Sequence, residues 1–138
     1  MENFNLIMKA YSHDLGKLVF YQKSLAIFEL ARRIASYITD DKDMISMYRS
    51  GSKTDNYADN LVMNAYRLVP KIAEVETQEN PDIKLKYAQS LRYFIDRIYQ
   101  DCKTLENSKI KGVDFVQLLS NELKHLRKIH KKYVNSLL

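Results

Sequence analysis

The chain has 138 residues and a net charge of +5, from 22 Lys and Arg against 17 Asp and Glu. A chain of this size can bury well over half of the surface that its unfolded form exposes, so the sequence predicts one domain over residues 1–138. Apolar residues make up 46% and charged residues 28%, with three Gly and two Pro. This composition argues against a disordered or turn-rich β protein and favours helices.

The cysteine content and the apolar runs bear on the cellular setting. Cys102 is the single cysteine and cannot form an internal disulfide, and no basic segment leading into a signal-like apolar core opens the chain. We therefore expect a cytoplasmic protein. The apolar runs, such as residues 18–21 and 25–28, are much shorter than the roughly 20 residues that a membrane span requires. No association with a membrane is expected.

The first third of the chain is predicted to contain one long helix and a connector. Residues 1–12 lack a strong cap and admit two interpretations, a flexible arm or an early helical turn. Apolar residues at spacings of three and four then predict an amphipathic helix over residues 13–39. Residues 39–55 are rich in Asp, Ser, Lys and Gly and are predicted to be a polar connector, with room for a short helical turn around residues 43–48.

Two further helices are expected in the middle of the chain. Asp55 is predicted to cap the first of them, which should be kinked or broken at Pro70, because proline removes a backbone donor and crowds the preceding turn. Asn80 followed by Pro81 is a strong start signal for the next helix. The clearest apolar stripe of the sequence carries this helix to about Glu106.

The last helix is predicted to begin at Asp114, which forms a capping-box pattern with Gln117, and to run to the C-terminus. Four amphipathic helices with mostly short later connectors pack most simply in alternating directions. The predicted fold is therefore all-α, an antiparallel up-down four-helix bundle.

Side chains with catalytic or metal-binding chemistry are few and isolated. Glu122 and His125 match the Glu-x-x-His unit of di-iron bundles, but the second unit that such a site needs is missing. His125 and His130 diverge by about 140° around a helix and cannot bind one zinc ion. Cys102 lies in an apolar stripe and has no charged neighbour that would activate it. We expect a non-enzyme without catalytic residues, cofactor or metal.

Two polar residues fall inside the apolar arc of the last helix. His130 is predicted to be partly buried and hydrogen-bonded. Glu122 is expected either to be paired or to lie at a subunit boundary, because an isolated charge is costly to bury.

The positive charge is concentrated at the end of the chain. Residues 1–106 hold 15 basic and 15 acidic residues, whereas residues 107–138 hold seven basic and two acidic ones, which places the whole +5 there. On a helical wheel, the basic residues of the last helix share an arc of about 100°, with the final lysine at its edge and the apolar stripe opposite. This set is termed the basic ridge: Lys124, Arg127, Lys128, Lys131 and Lys132.

Two interpretations of the basic ridge stay open. Cations near a helix C-terminus interact favourably with the helix dipole, and runs of charge are commonly solvated faces without a ligand. Alternatively, the ridge binds the phosphates of RNA or DNA, and the affinity then falls steeply with salt. Exposed tyrosines could stack on unpaired bases, and Tyr37 and Tyr93 are the best placed. Other tyrosines lie beside apolar faces and are expected in the core: Tyr21, Tyr87, Tyr99 and Tyr133.

A resemblance to a known family accompanies these patterns. The run LVFYQKS at residues 18–24 is similar to the start of the first helix in the four-helix-bundle proteins encoded in intervening sequences of bacterial 23S ribosomal RNA genes. Residues 72–74 stand where that family has an Asn-Ile-Ala-Glu-Gly run, although Lys71 and Val75 replace the flanking Asn and Gly. Residues 119–137 resemble its closing helix.

The chain also resembles the accessory variability determinant proteins of diversity-generating retroelements, which are similar bundles. These resemblances imply a homo-oligomer with a basic surface that contacts nucleic acid and, in the retroelement case, a reverse transcriptase partner. The leading hypothesis is thus a nucleic-acid-binding helical bundle. The alternative is a protein-interaction or accessory subunit with no direct nucleic-acid role.

Overall fold

The computed structural model of the protein describes residues 18–138. The arm or early turn predicted over residues 1–12, and the predicted helix start at residue 13, lie outside this range. The described chain is all-helical, with five helices and no strand. The helices are α1 (Val19–Ile38), α2 (Met44–Arg49), α3 (Lys53–Glu76), α4 (Pro81–Glu106) and α5 (Val113–Ser136).

The starts of α3 and α4 show how side chains fix the helix boundaries. The prediction for α4 is confirmed, because the Asn80 side chain accepts hydrogen bonds from the backbone N–H groups of Asp82 and Ile83. The prediction for α3 is wrong, because the hydroxyl of Ser52 is the cap and accepts from the backbone N–H of Asp55. The carboxylate of Asp55 is buried and accepts from the Lys42 ammonium at 2.5 Å instead.

The start of α5 also differs from the prediction. Gly112 precedes the helix with φ of +81°, and no side chain caps it, so Asp114 lies within the first turn. A glycine is required at this position, since left-handed backbone is strained for other residues and an added Cβ would lie 2.9 Å from the Tyr37 ring. The predicted capping box is therefore wrong, and the absence of a side chain at Gly112 leaves room for the Tyr37 ring of α1.

The helix through Pro70 is continuous from Lys53 to Glu76. Of the two alternatives predicted at Pro70, the helix in two pieces is therefore wrong, and the kink stays a prediction. The short α2 occupies the predicted polar connector at the place where a helical turn was allowed. Within residues 18–138, no helix is both long and apolar enough to cross a membrane.

The four long helices contact one another in a cycle. α1 packs against α3 and α5, α4 packs against the same two helices, and α2 packs on α3. Their apolar stripes meet in one main core, and a smaller buried cluster joins α1, α2 and α3. Burying one large aliphatic or aromatic side chain contributes roughly 1.5–3 kcal/mol. The largest fully buried side chains include Phe20, Leu61, Leu68, Ile95, Leu119 and Leu126. The outer face of each long helix is left for solvent or a ligand.

The two helix starts give a matched test of the boundaries. Asn80→Ala removes a side chain that satisfies two backbone donors and is expected to lower the free energy of unfolding by about 1 kcal/mol. Asp114→Ala removes only a favourable charge near the helix dipole, with an expected loss of about 0.3 kcal/mol. Urea denaturation of both variants measures the difference, and equal losses would contradict the assigned start of α5.

Candidate nucleic-acid interface

The basic ridge lies on the outer face of α5. Its four lysines are exposed, and none forms an ion pair with another residue in the range 18–138. The opposite face of the helix is buried in the core through Leu119, Leu123 and Leu126. Because the apolar stripe faces inward, the lysines project away from the protein.

Arg127 has a different environment from the lysines. Its side chain is 29% exposed, and it binds one oxygen of Asp96 on α4, with Nη2 at 2.9 Å and Nε at 3.0 Å. Its guanidinium also lies 4.4 Å from the centre of the Tyr99 ring. Arg127 therefore forms the edge of the ridge next to α4, and α4 holds its orientation.

Arg92 of α4 belongs to the same cluster and was missed by sequence reasoning. Its Nε lies 2.9 Å and 3.1 Å from the two carboxylate oxygens of Asp96, so this one carboxylate joins Arg92 to Arg127. Arg92 lies in the part of the sequence where the charges cancel, and only its spacing of four residues from Asp96 could have drawn attention to it.

Arg92 and three of the five ridge residues line a concave surface between α4 and α5, termed the α4–α5 groove. The cavity has a volume of about 460 Å³. Its lining residues are Gln89, Arg92, Arg127, Lys128, His130, Lys131, Val134 and Asn135. Arg127, Lys128 and Lys131 thus form one wall of a cationic groove, with the other wall on α4, whereas Lys124 and Lys132 lie outside it.

His130 is buried beside this groove, as predicted. Its Nε2 lies 2.7 Å from the carbonyl oxygen of Ala88, which can only accept, so Nε2 carries the proton. The Phe20 ring packs 5.5 Å away, centre to centre. Burial lowers the pKa of His130, the hydrogen bond to Ala88 opposes this effect, Arg92 lowers it further and Asp96 raises it. The imidazole is therefore held neutral.

Glu122 and Cys102 have structural contacts. Glu122 forms an ion pair with Lys23 of α1, which confirms the first of the two predicted alternatives. Cys102 is fully buried, which confirms its predicted core position, and this burial raises the pKa of its thiol to about 12. In residues 18–138 no three His, Cys, Asp or Glu side chains are grouped as metal ligands.

Four of the six predicted tyrosine environments concern the core, and three of these are confirmed. Tyr133 is buried, and Tyr21 and Tyr99 are half-buried against the core. Tyr87 is 43% exposed, so its predicted core position is wrong; it lines a surface depression between α3 and α4.

Tyr37 and Tyr93 are 49% and 60% exposed, as predicted. The Lys111 ammonium lies 5.1 Å from the centre of the Tyr37 ring, and the Arg97 guanidinium lies 5.8 Å from that of Tyr93. Neither tyrosine lines the α4–α5 groove.

A second concavity lies away from the ridge, between α1, α2 and α3, and is termed the α2 groove. Its volume is about 630 Å³. The lining is mostly apolar and includes Phe28, Met44, Met47, Met63 and Tyr66. Sequence reasoning missed this groove because α2 was predicted only as a turn within a polar connector.

No protein-family model, curated protein or solved structure matches the chain. The α4–α5 groove and the ridge offer several cations and amides to an anion. The buried thiol of Cys102 has a raised pKa and the buried imidazole of His130 a lowered one, so the two groups are held as a thiol and a neutral imidazole.

The environment of His130 predicts a pH dependence of stability. An unfolded histidine takes up a proton near pH 6.5, whereas folded His130 does so only at lower pH, so the unfolded state binds more protons in between. The stabilising contribution is complete above about pH 6.5 and is lost as pH falls through the folded pKa. Urea denaturation at pH 7.5 and 5.5 should show a lower free energy of unfolding at pH 5.5.

His130→Gln should reduce this difference, and His125→Gln, which alters an exposed histidine on the same helix, is the control. An unchanged difference in the His130 variant would contradict the assignment.

Proposed function

We propose that this protein is a non-enzymatic, cytoplasmic helical protein that binds RNA or DNA through the basic ridge. The observation that carries the proposal is the set of four exposed lysines on one face of α5, in a chain whose first 106 residues have balanced charge. Phosphates bound there would release counterions, which is the main source of affinity in sequence-independent nucleic-acid binding.

The helix dipole does not account for this charge. The dipole acts on cations within the last turn of a helix, and α5 has no basic residue in its last turn. Lys124 and Lys128 lie two or more turns before the end at Ser136. The dipole part of the first interpretation of the ridge therefore loses its support. A solvated face without a ligand is the alternative that is left, and the charge-reversal experiment below distinguishes it from phosphate binding.

The spacing of the lysines suits an extended polyanion. Lys124, Lys128 and Lys131 follow one another at four and three residues, which places them on one side of α5 over about 10 Å. A single phosphate would reach one or two of them, whereas a nucleic-acid backbone reaches all three.

We further propose that the four long helices form an antiparallel up-down bundle. The order of side-chain contacts between α1 and α5 supports this topology. Asp40, just after α1, pairs with Lys111, just before α5, whereas Phe20 at the start of α1 packs against His130 near the end of α5. Such a bundle is compatible with membership of the intervening-sequence or accessory variability determinant families and with the homo-oligomer that those resemblances imply.

A charge-reversal experiment tests the proposed function. The triple variant Lys124→Glu, Lys128→Glu, Lys131→Glu should bind a fluorescent 20-nucleotide single-stranded RNA far more weakly than the unmodified protein. The slope of log affinity against log salt should fall by about 2, since each phosphate contact on a single strand contributes about 0.7. Fluorescence anisotropy at several salt concentrations measures both quantities.

The matched control reverses three exposed lysines away from α5, at Lys53, Lys71 and Lys109. Its overall change of charge is the same, so any difference in RNA affinity between the two triple variants is due to the position of the lysines and not to net charge. Equal losses in the two triple variants, or an affinity of the unmodified protein that ignores salt, would remove the proposal.

The α2 groove favours a second candidate function, an accessory subunit that docks a protein partner such as a polymerase. Three methionines line this groove, and flexible Met side chains are common at protein-binding surfaces. Next to it, Ile45 and Tyr48 of α2 are 63% and 76% exposed. A pull-down from nuclease-treated native lysate separates the candidates: a partner retained without nucleic acid favours docking, and its loss favours nucleic-acid binding.

A further inference from the structure

The α4–α5 groove brings cations from two helices to one concave surface. Arg92 comes from α4, and Arg127, Lys128 and Lys131 come from α5. The remaining polar lining includes the amides of Gln89 and Asn135, and no carboxylate is part of the lining. Asp96 pairs with both arginines, so the four cations and this one carboxylate leave a net positive charge that favours an anion in the groove.

Asp96 orients two of these cations without lining the groove. It is joined to Arg92 only through Nε, whereas it is joined to Arg127 through both Nε and Nη2. A guanidinium has five N–H donors, so Arg92 keeps its terminal amino groups for another acceptor. Paired N–H donors of arginine match the geometry of two phosphate oxygens.

The usual spacing of packed helices favours a single strand over a duplex in this groove. Packed helices have axes roughly 8–10 Å apart, so the groove between α4 and α5 is narrower than a double helix, whose major groove alone is about 12 Å wide. A duplex is also stiff over tens of base pairs. A flexible single strand can enter the groove, and charged grooves that follow the backbone are typical of single-strand binding.

We infer that the α4–α5 groove binds the sugar–phosphate backbone of a single nucleic-acid strand, and that Arg92 contacts a phosphate there together with Lys128 and Lys131. This inference rests on the proposed nucleic-acid-binding function. It extends the interface from one helix face to a two-walled groove, and it narrows the ligand from any nucleic acid to an unpaired strand.

The test compares two arginines of α4. Arg92→Gln removes the groove cation, whereas Arg97→Gln makes the same change at an exposed arginine that does not line the groove. Anisotropy with a 12-nucleotide single-stranded RNA should show affinity on the order of tenfold weaker for Arg92→Gln and a salt slope smaller by about 0.7. Arg97→Gln should leave both quantities nearly unchanged. Arg92→Lys retains the charge and should recover most of the salt slope.

The same strand annealed to its complement is the second arm, and it should bind at least tenfold more weakly than the single strand. Circular dichroism confirms that each variant is folded. Equal affinity of the Arg92→Gln and Arg97→Gln variants would overturn the proposed role of the groove. Equal binding of duplex and single strand would overturn the assignment of the ligand. Both results are compatible with the proposed function, which fails separately if charge reversal on the ridge has no effect.

Discussion

The packing of the apolar face of α5 between α1 and α4 is the constraint on which the rest of the structure depends. Leu119, Leu123 and Leu126 are fully buried, and rotating the helix would expose them to water at a cost of roughly 1.5–3 kcal/mol each. The lysines on the opposite face must therefore point outward. The charged surface of α5 is a direct consequence of how its core side is buried.

Polar contacts at the two edges of α5 decide which charges are left for a ligand. On the side of α1, Lys23 neutralises Glu122, and on the side of α4, Asp96 holds Arg127. Exposed ion pairs contribute little to stability, typically less than about 1 kcal/mol, so these contacts matter more for orientation. They leave the ridge lysines between them unpaired within residues 18–138, and Arg92, joined to Arg127 through Asp96, adds a cation on α4.

Most of the helices could be predicted from the sequence, because the 3.6-residue period of the apolar stripes and local signals such as Asn80-Pro81 act within one segment. The starts of α3 and α5 could not, since Ser52 competes with Asp55 as a cap and since a side chain at Gly112 would clash with Tyr37 of another helix.

Only the α5 side of the candidate site could be predicted from the sequence. The ridge is a pattern within one helix, so the spacing of its basic residues predicts it. The second wall of the groove depends on how α4 packs against α5. Arg92 lies near Arg127 because Asp96 accepts hydrogen bonds from both arginines in the folded protein. Periodicity within a single helix carries no information about that contact.

The most direct test of a nucleic-acid interface on α5 is a lysine footprint. The protein is acetylated briefly with and without saturating single-stranded RNA, and mass spectrometry measures the modification of each lysine. The account predicts protection of Lys124, Lys128 and Lys131, with Lys53 and Lys109 modified equally in both samples. Protection of Lys53 or Lys109 with unchanged modification of the α5 lysines would contradict it.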